Sequence, residues 1–313
     1  MVLSRPSIDP ELAAGLAQLP LVAELTPDLL QQLRQYKVPA ETYLEGRAIE
    51  RREATIMAAD GTALPATILR PADAAADAPC IYWIHGGGMV LGDRFANLDI
   101  PLDWLAAFGA VVVTVDYRLA PEVSGTTLVE DCYRGLEWVA DHAEELGIDP
   151  TRIVVAGISA GGGLAAGTVL LARDRSGPAI AAQVLICPML DHRNMTVSSR
   201  QYSGEPGLWT RESNAFGWRA VLGGDGAEVP ACVSPAIATD LSRLPTTYID
   251  AGSAEVFRDE VIEYATRICA AGGQAELHIW AGGVHGFDGL FPEARVSLAA
   301  RRARTDWLAR VLA

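Results

Sequence analysis

Composition and charge narrow the classes of protein that this chain of 313 residues can belong to. It carries 39 acidic against 25 basic side chains, a formal net charge of −14 that repels phosphate backbones and anionic membranes. We therefore expect no nucleic-acid partner. Half of the residues are hydrophobic, enough for a sizeable core. The amino terminus lacks the pattern of a signal peptide, and the 5 cysteines are odd in number and widely spread, which predicts reduced thiols, no metal site and a cytoplasmic location.

Two short amphipathic helices are predicted at the amino terminus. Asp9 can cap a helix that begins at Pro10, and Thr26 can cap a second helix that begins at Pro27. Each helix has one apolar face, so both need a surface to cover.

The next region has the alternation of an antiparallel hairpin. Apolar residues recur with a period of two between 46 and 70, on either side of the turn Asp60-Gly61. Residues 71–79, rich in alanine and aspartate, read as a surface connection.

Strands and helices then alternate to the end of the chain, which favours an α/β protein with a parallel sheet covered on both faces. The strand candidates are 81–84, 111–115, 153–156, 182–186, 246–249 and 276–280. The helical candidates are 98–108, 128–146, 164–172, 256–271 and 293–312. Residues 195–230 interrupt the alternation without strand periodicity and are predicted to form helices outside the sheet.

Residues 153–172 form an uncharged stretch long enough to suggest a membrane span. Its β-branched opening, its five glycines and its later helical pattern fit a buried strand, a tight turn and a helix better. We therefore predict no membrane span.

Ser159 lies in that turn, flanked by Gly157 and Gly161 in the pattern Gly-x-Ser-x-Gly. The glycines allow a sharp bend that presents the serine hydroxyl at the carboxyl end of the strand. A chance match to this pattern is roughly a one-in-eight event at this glycine content, so the motif needs partners elsewhere.

The run His85-Gly86-Gly87-Gly88 follows the strand candidate 81–84 and has roughly a one-in-two-hundred probability by chance. Backbone N–H groups in such a run can donate hydrogen bonds to an oxyanion, the negatively charged oxygen that forms when an ester or amide carbonyl is attacked. We assign the N–H groups of Gly87, Gly88 and Ala160 to such an oxyanion hole.

A serine nucleophile needs a base and an acid that orients the base. Of the five histidines, His285 follows the last strand candidate and completes the order serine, acid, histidine. The acid should follow the strand 246–249, where four carboxylates are available: Asp250, Glu255, Asp259 and Glu260. Spacing slightly favours Glu255, which lies at the start of the next helix.

The chain resembles the hormone-sensitive-lipase-like branch of the α/β-hydrolases, which includes the bacterial family IV carboxylesterases. The resemblance rests on four boxes in order: His-Gly-Gly-Gly at 85–88, Asp-Tyr-Arg-Leu-Ala-Pro-Glu at 116–122, the serine turn at 157–161 and His-Gly-Phe at 285–287. It implies Ser159 as nucleophile, His285 as base, and Gly87, Gly88 and Ala160 as oxyanion donors.

The resemblance also implies an α/β-hydrolase fold with a mostly parallel sheet of about eight strands, helices on both faces and a helical cap. The expected parts are cap helices at 1–45, catalytic core at 46–194, a second cap segment at 195–230 and further core at 231–313. Many relatives dimerise, so a homodimer is possible.

The chain departs from the family in its acid box, usually Asp-Pro-Leu-x-Asp-Glu, which here reads Glu-Val-Phe-Arg-Asp-Glu at 255–260. Alignment puts Glu255 at the catalytic position, one methylene longer than aspartate, with Asp259 as the second candidate. Ile158 also stands where many relatives have Asp or Thr, and residues 123–127 replace a proline-rich stretch.

The sequence thus predicts a serine carboxylesterase acting on small esters with short acyl chains, without metal or organic cofactor. The candidates for its apolar substrate pocket are Met89, Val90, Trp209, Phe216, Trp218 and Phe287.

Two other functions remain open. Plant gibberellin receptors share the fold and bind a small molecule without hydrolysis, but they lack the catalytic histidine. A dinucleotide-binding enzyme is suggested by Gly161-x-Gly163-x-x-Ala166 after a strand, with Asp191 beyond the next strand. That motif begins later after its strand than a dinucleotide fingerprint does.

Overall fold

An eight-stranded sheet organises the computed structural model, which describes residues 3–224 and 228–313. The strand order is β1-β2-β4-β3-β5-β6-β7-β8, in which β2 pairs antiparallel with β1 and β4 and all other pairs are parallel. The strands are β1 (Ile49–Met57), β2 (Ala63–Pro71), β3 (Ala78–Ile84), β4 (Val111–Val115), β5 (Ile148–Ile158), β6 (Ala182–Ile186), β7 (Thr246–Gly252) and β8 (Ala275–Trp280). The predicted eight-stranded, mostly parallel sheet is confirmed.

Helices flank the sheet close to their predicted positions. They are α1 (Pro10–Leu16), α2 (Pro27–Leu33), α3 (Glu41–Leu44), α4 (Asp99–Phe108), α5 (Thr127–Asp141), α6 (Ala143–Leu146), α7 (Ala160–Arg175), α8 (Val197–Gln201), α9 (Arg211–Leu222), α10 (Arg258–Ala270), α11 (Phe287–Leu290) and α12 (Arg295–Val311), with a short 3-10 helix at Pro235–Ile237. The predicted caps form: Asp9 accepts a hydrogen bond from the N–H of Glu11, and Thr26 accepts one from Leu29. The helix predicted at 128–146 is instead two helices, because the chain leaves helical geometry at His142.

The core lies on both faces of the central strands. Every residue of β3, β4 and β6 is buried, and α7 is buried from Ala160 to Ala172. The uncharged stretch 153–172 is therefore a buried strand, turn and helix. Within the described residues, the helices are all too short or too polar to cross a membrane.

The amino-terminal segment and the segment around α8 and α9 contact each other outside the sheet. Val22 and Gly207 form an isolated antiparallel bridge, and the hydroxyl of Thr210 donates to the carbonyl of Ala23 at 2.7 Å. These contacts support the expected two-part cap, which stays a prediction; residues 1–2 and 225–227 of its two segments lie outside the described residues.

Candidate active site

Ser159 occupies the sharp turn between β5 and α7. Its φ of 56° and ψ of −122° fall where residues with a side chain are rarely found, so the turn holds the serine in a strained conformation. Three backbone hydrogen bonds fix that conformation. The N–H of Ser159 donates to Ile186 at 2.8 Å, and its carbonyl accepts from Met189 at 2.9 Å and from Gly163 at 3.1 Å.

The glycines around Ser159 are required by close packing. A Cβ on Gly157 would lie 2.3 Å from the carbonyl oxygen of Gly161, and one on Gly161 would lie 2.1 Å from that of Ile84. A Cβ on Gly163 would lie 2.0 Å from the carbonyl oxygen of Met189. Because protein backbone fills these sites, the glycines leave no room for a pyrophosphate, which argues against the dinucleotide interpretation.

His285 lies in the loop between β8 and α11 and contacts two other predicted site residues. Its Nε2 is 2.9 Å from the Ser159 Oγ, and its Nδ1 is 2.5 Å from Glu255 Oε2. The other oxygen of Glu255 accepts a hydrogen bond of 2.9 Å from the N–H of Gly252, and the edge of the Phe257 ring packs on the imidazole. The Glu255 side chain is 0% exposed and the His285 side chain 14%. Serine, imidazole and carboxylate thus form a continuous hydrogen-bonded chain.

The three other carboxylates considered for the acid have different partners. Asp250 accepts from Arg304 and Trp280, and Asp259 accepts from the N–H of Ser198 and from Arg258. Glu260 accepts from the N–H groups of Leu190 and Asp191. Among the four candidates, Glu255 is the one that contacts the imidazole.

Cys187 lies beside this pair, and its sulfur falls within 4.8 Å of ligand atoms of Glu255 and His285. Three such donors could in principle hold a metal ion. Burial, however, raises the pKa of the Cys187 thiol well above its ordinary value, which disfavours the thiolate that a metal needs. The short hydrogen bond between His285 Nδ1 and Glu255 also uses the atoms with which these two residues would bind a metal. The arrangement therefore favours the hydrogen-bonded pair.

The glycine loop lies against the serine turn. A Cβ on Gly86 would be 3.4 Å from the Cβ of Ser159, and Gly87 and Gly88 have positive φ values of 117° and 63°, a backbone conformation that favours glycine. Within 3–224 and 228–313, the N–H groups of Gly87, Gly88 and Ala160 donate to no protein acceptor. Their assignment to an oxyanion hole stays a prediction.

His85 and Tyr117 pack against each other at the start of the glycine loop. The fully buried imidazole stacks on the Tyr117 ring with centroids 4.3 Å apart, and the Tyr117 hydroxyl donates to the His85 carbonyl at 3.0 Å. Burial lowers the pKa of His85, which favours the neutral ring. Tyr117 was not among the predicted site residues, although the box at 116–122 that contains it was the available signal.

Two cavities meet at His285. The larger, of about 480 Å³, is lined by Ser159 and the glycine loop, and the smaller, of about 100 Å³, is lined by Glu255 and apolar residues of the amino-terminal segment. Leu208, Trp209 and His285 line both cavities.

Of the six predicted pocket residues, Trp209 lies in the walls of both cavities and the other five line neither. Met89, Val90, Trp218 and Phe287 are buried in the protein core, and Phe216 is partly buried against it. An apolar side chain next to a motif is as suited to the core as to a cavity, and the substrate pocket itself stays a prediction. The structure instead brings in Leu208 and Tyr43, for which the sequence offered no signal.

An eight-stranded sheet with a serine at the β5–α7 turn, hydrogen-bonded to a histidine after the last strand, defines an α/β-hydrolase. The sequence profile of the α/β-hydrolase fold family matches residues 81–289, and the chain belongs to that family.

Known proteins agree with this assignment. The chain is 34% identical over 291 residues to carboxylesterase NlhH of Mycobacterium tuberculosis, covering 91% of this chain and 90% of the relative. Among solved structures, a bacterial heroin esterase is 36% identical with a TM-score of 0.88, and esterase LipW from Mycobacterium marinum is 32% identical with the same TM-score; each match covers 98% of both chains. The resemblance to the hormone-sensitive-lipase-like branch is confirmed, and the protein is a carboxylic ester hydrolase.

Proposed function

We propose that the protein hydrolyses short-chain acyl esters through an acyl-enzyme intermediate, with Ser159 as nucleophile, His285 as base and Glu255 as the orienting acid. The observation that carries the proposal is the chain of hydrogen bonds, 2.9 Å from Ser159 Oγ to His285 Nε2 and 2.5 Å from His285 Nδ1 to Glu255. These distances are within reach for proton transfer from the hydroxyl to the imidazole.

In the first half of the reaction, the Ser159 oxygen attacks the ester carbonyl while His285 Nε2 accepts the hydroxyl proton. Buried Glu255 holds the proton on Nδ1 and stabilises the imidazolium that forms. The N–H groups of Gly87, Gly88 and Ala160 stabilise the oxyanion, and each such donor typically contributes about a hundred- to a thousandfold in rate. The imidazolium then protonates the departing alcohol, leaving the acyl group on Ser159.

In the second half, His285 accepts a proton from water, and the resulting hydroxide attacks the acyl-enzyme carbonyl. The same amides stabilise the second oxyanion, and the imidazolium returns its proton to the Ser159 oxygen as the carboxylic acid leaves. No step requires a metal or an organic cofactor.

The preference for short acyl chains is supported by the position of Trp209. The ring of Trp209 covers the glycine loop so closely that a Cβ on Gly88 would lie 2.3 Å from the ring. Trp209 and Leu208 also line both cavities, so their side chains limit the space beside Ser159. Bulky side chains this close to the serine suit small groups on the ester.

The test compares initial rates on p-nitrophenyl acetate, butyrate, octanoate and palmitate for the wild type and Ser159→Ala. We expect a maximum at acetate or butyrate, and a loss of several orders of magnitude in kcat on all four esters for the variant. A maximum at palmitate would contradict the chain-length proposal, and an active Ser159→Ala protein would contradict the nucleophile. A receptor-like function without hydrolysis would leave the wild type inactive on every ester.

Three further expectations stay predictions: a cytoplasmic location, no nucleic-acid partner and a possible homodimer. Light scattering measures the last of these directly, and a monomeric mass over the working concentration range would contradict it.

A further inference from the structure

Three fully buried charges lie behind the loop of His285 and take no part in the reaction described above. Asp250, Asp288 and Arg304 are each exposed by 1% or less. Charged groups are rarely buried without a partner, because removal from water is costly. Such a cluster inside the core therefore requires an explanation.

Arg304 joins the two carboxylates. Its Nε donates to Asp250 Oδ2 at 2.8 Å, and its Nη1 donates to Asp288 Oδ2. The indole N–H of Trp280 also donates to Asp250 Oδ2, at 3.0 Å. Burial alone would lower the pKa of Arg304, but Asp250 and Asp288 outweigh it and raise the pKa above that of a free arginine.

The two carboxylates belong to the two segments that carry the imidazole and its acid. Asp250 lies in β7, which leads directly into the turn that holds Glu255. Asp288 lies in α11, three residues after His285. One guanidinium from α12 thus connects the segment of the acid to the segment of the base.

A second arginine of α12 anchors the same loop. Arg301 Nη2 donates to the backbone carbonyl of Asp288 at 2.9 Å. Arg301 also forms ion pairs with Asp99 and Asp103 of α4, the latter at 3.0 Å. The position of the His285 loop is therefore held from α12, which is itself fixed to α4.

We propose that Arg304 is a positioning residue for the reaction: by bridging Asp250 and Asp288, it holds the Glu255 and His285 segments at the separation that their hydrogen bond requires. This inference rests on the proposed roles of Glu255 and His285. The guanidinium suits the task because its planar fork fixes two acceptors at once, whereas a lysine ammonium is a single flexible point charge.

Stability alone is a weak reason for this cluster. Buried ion pairs contribute little net stability, and well-packed apolar residues of similar volume often replace them without loss. A catalytic constellation, by contrast, must be held within about 0.5 Å of its productive geometry, and a displacement of about 1 Å can cost about a hundredfold in rate. The bridge meets that second requirement.

The experiment compares Arg304→Lys with the charge-free triple variant Asp250→Asn/Asp288→Asn/Arg304→Met. Arg302→Met is the matched control, since Arg302 lies on the same helix and its side chain is 83% exposed. Three quantities are measured: the unfolding temperature, kcat and KM on p-nitrophenyl butyrate, and the deshielded proton resonance of the His285 N–H bound to Glu255. His285→Ala identifies that resonance by its loss.

We expect Arg304→Lys to lower kcat by about ten- to a hundredfold with KM unchanged, and to shift or broaden the His285 resonance. We expect the triple variant to unfold near the wild-type temperature while kcat and the resonance stay impaired, and Arg302→Met to match the wild type. A folded Arg304→Lys or triple variant with wild-type kcat and a wild-type resonance would overturn the proposal. If Arg304→Lys does not fold, the triple variant decides alone.

The Ser159→Ala measurement described for the proposed function, taken together with the His285 resonance, separates this inference from that function. Activity that survives Ser159→Ala would reject the nucleophile assignment. The His285 resonance does not depend on that assignment, so it would still report whether Arg304 sets the geometry of the pair.

Discussion

At the scale of single residues, one substitution each in Glu255 and Asp259 tests which of the two carboxylates orients His285. Glu255→Ala removes the hydrogen-bond acceptor 2.5 Å from His285 Nδ1, so we expect kcat to fall on the order of 10³- to 10⁴-fold. Asp259→Ala is the matched control, because Asp259 accepts from the N–H of Ser198 and from Arg258 instead. Steady-state kinetics on p-nitrophenyl butyrate measures both variants. A larger loss in kcat for Asp259→Ala than for Glu255→Ala would reverse the assignment.

The buried Glu260 side chain should make the free energy of unfolding depend on pH. Burial raises its pKa well above the ordinary value of 4.5, opposed by hydrogen bonds from the Leu190 and Asp191 N–H groups. The folded state therefore holds the Glu260 proton at pH values where the unfolded chain has released it. This contribution to the free energy of unfolding is complete below about pH 4.5 and is lost as pH rises through the raised pKa.

Glu260→Gln keeps one acceptor for the two N–H groups but does not titrate. We therefore expect the unfolding temperature of Glu260→Gln, relative to the wild type, to rise between pH 5 and pH 8, as measured by calorimetry. Glu263→Gln, on the exposed face of the same helix, is the control. A difference that does not change with pH would contradict the role assigned to burial.

At the scale of elements, the segment between α8 and α9 contributes side chains to both cavities that contain His285. Trp209 lies in the walls of both cavities, so Trp209→Ala should join them. Because one methylene in a hydrophobic pocket changes specificity about tenfold or more, we expect the ratio of kcat/KM for octanoate over butyrate to rise about tenfold. The control is Trp138→Ala, which removes a tryptophan that stacks on His142 in another part of the fold. An unchanged ratio would show that Trp209 does not limit the acyl chain.

The elements show what the sequence could predict and what it could not. Strand and helix alternation predicted the central sheet, because a parallel strand buried on both faces has a continuous apolar pattern. The break between α5 and α6 was missed, since the apolar pattern of 128–146 continues through it. Leu208 of the cavity walls was not predicted, for a different reason. Leu208 lines the same cavities as His285 from a segment without strand periodicity, and that placement depends on how the segment folds back over the sheet.

At the scale of the whole molecule, the amino-terminal segment is coupled to the site at the other end of the chain. Leu12 of α1 is fully buried in a cluster with Ala254 and Val284, the residues that precede Glu255 and His285. The N–H of Asp9 also donates to the carbonyl of Gly282 at 3.0 Å. The first helix therefore packs on the backbone segments that carry Glu255 and His285.

Leu12→Ala tests this coupling, because it leaves a cavity expected to cost about 2–5 kcal/mol in the free energy of unfolding. We expect hydrogen exchange to increase in α1 and also in residues 282–287, together with a lower kcat, since the loop of His285 loses its packing partner. Leu298→Ala is the control, because Leu298 of α12 is 51% exposed, lines neither cavity and should change exchange at neither place. Faster exchange confined to α1, with wild-type kcat, would mean that the first helix covers the His285 loop without holding it in position.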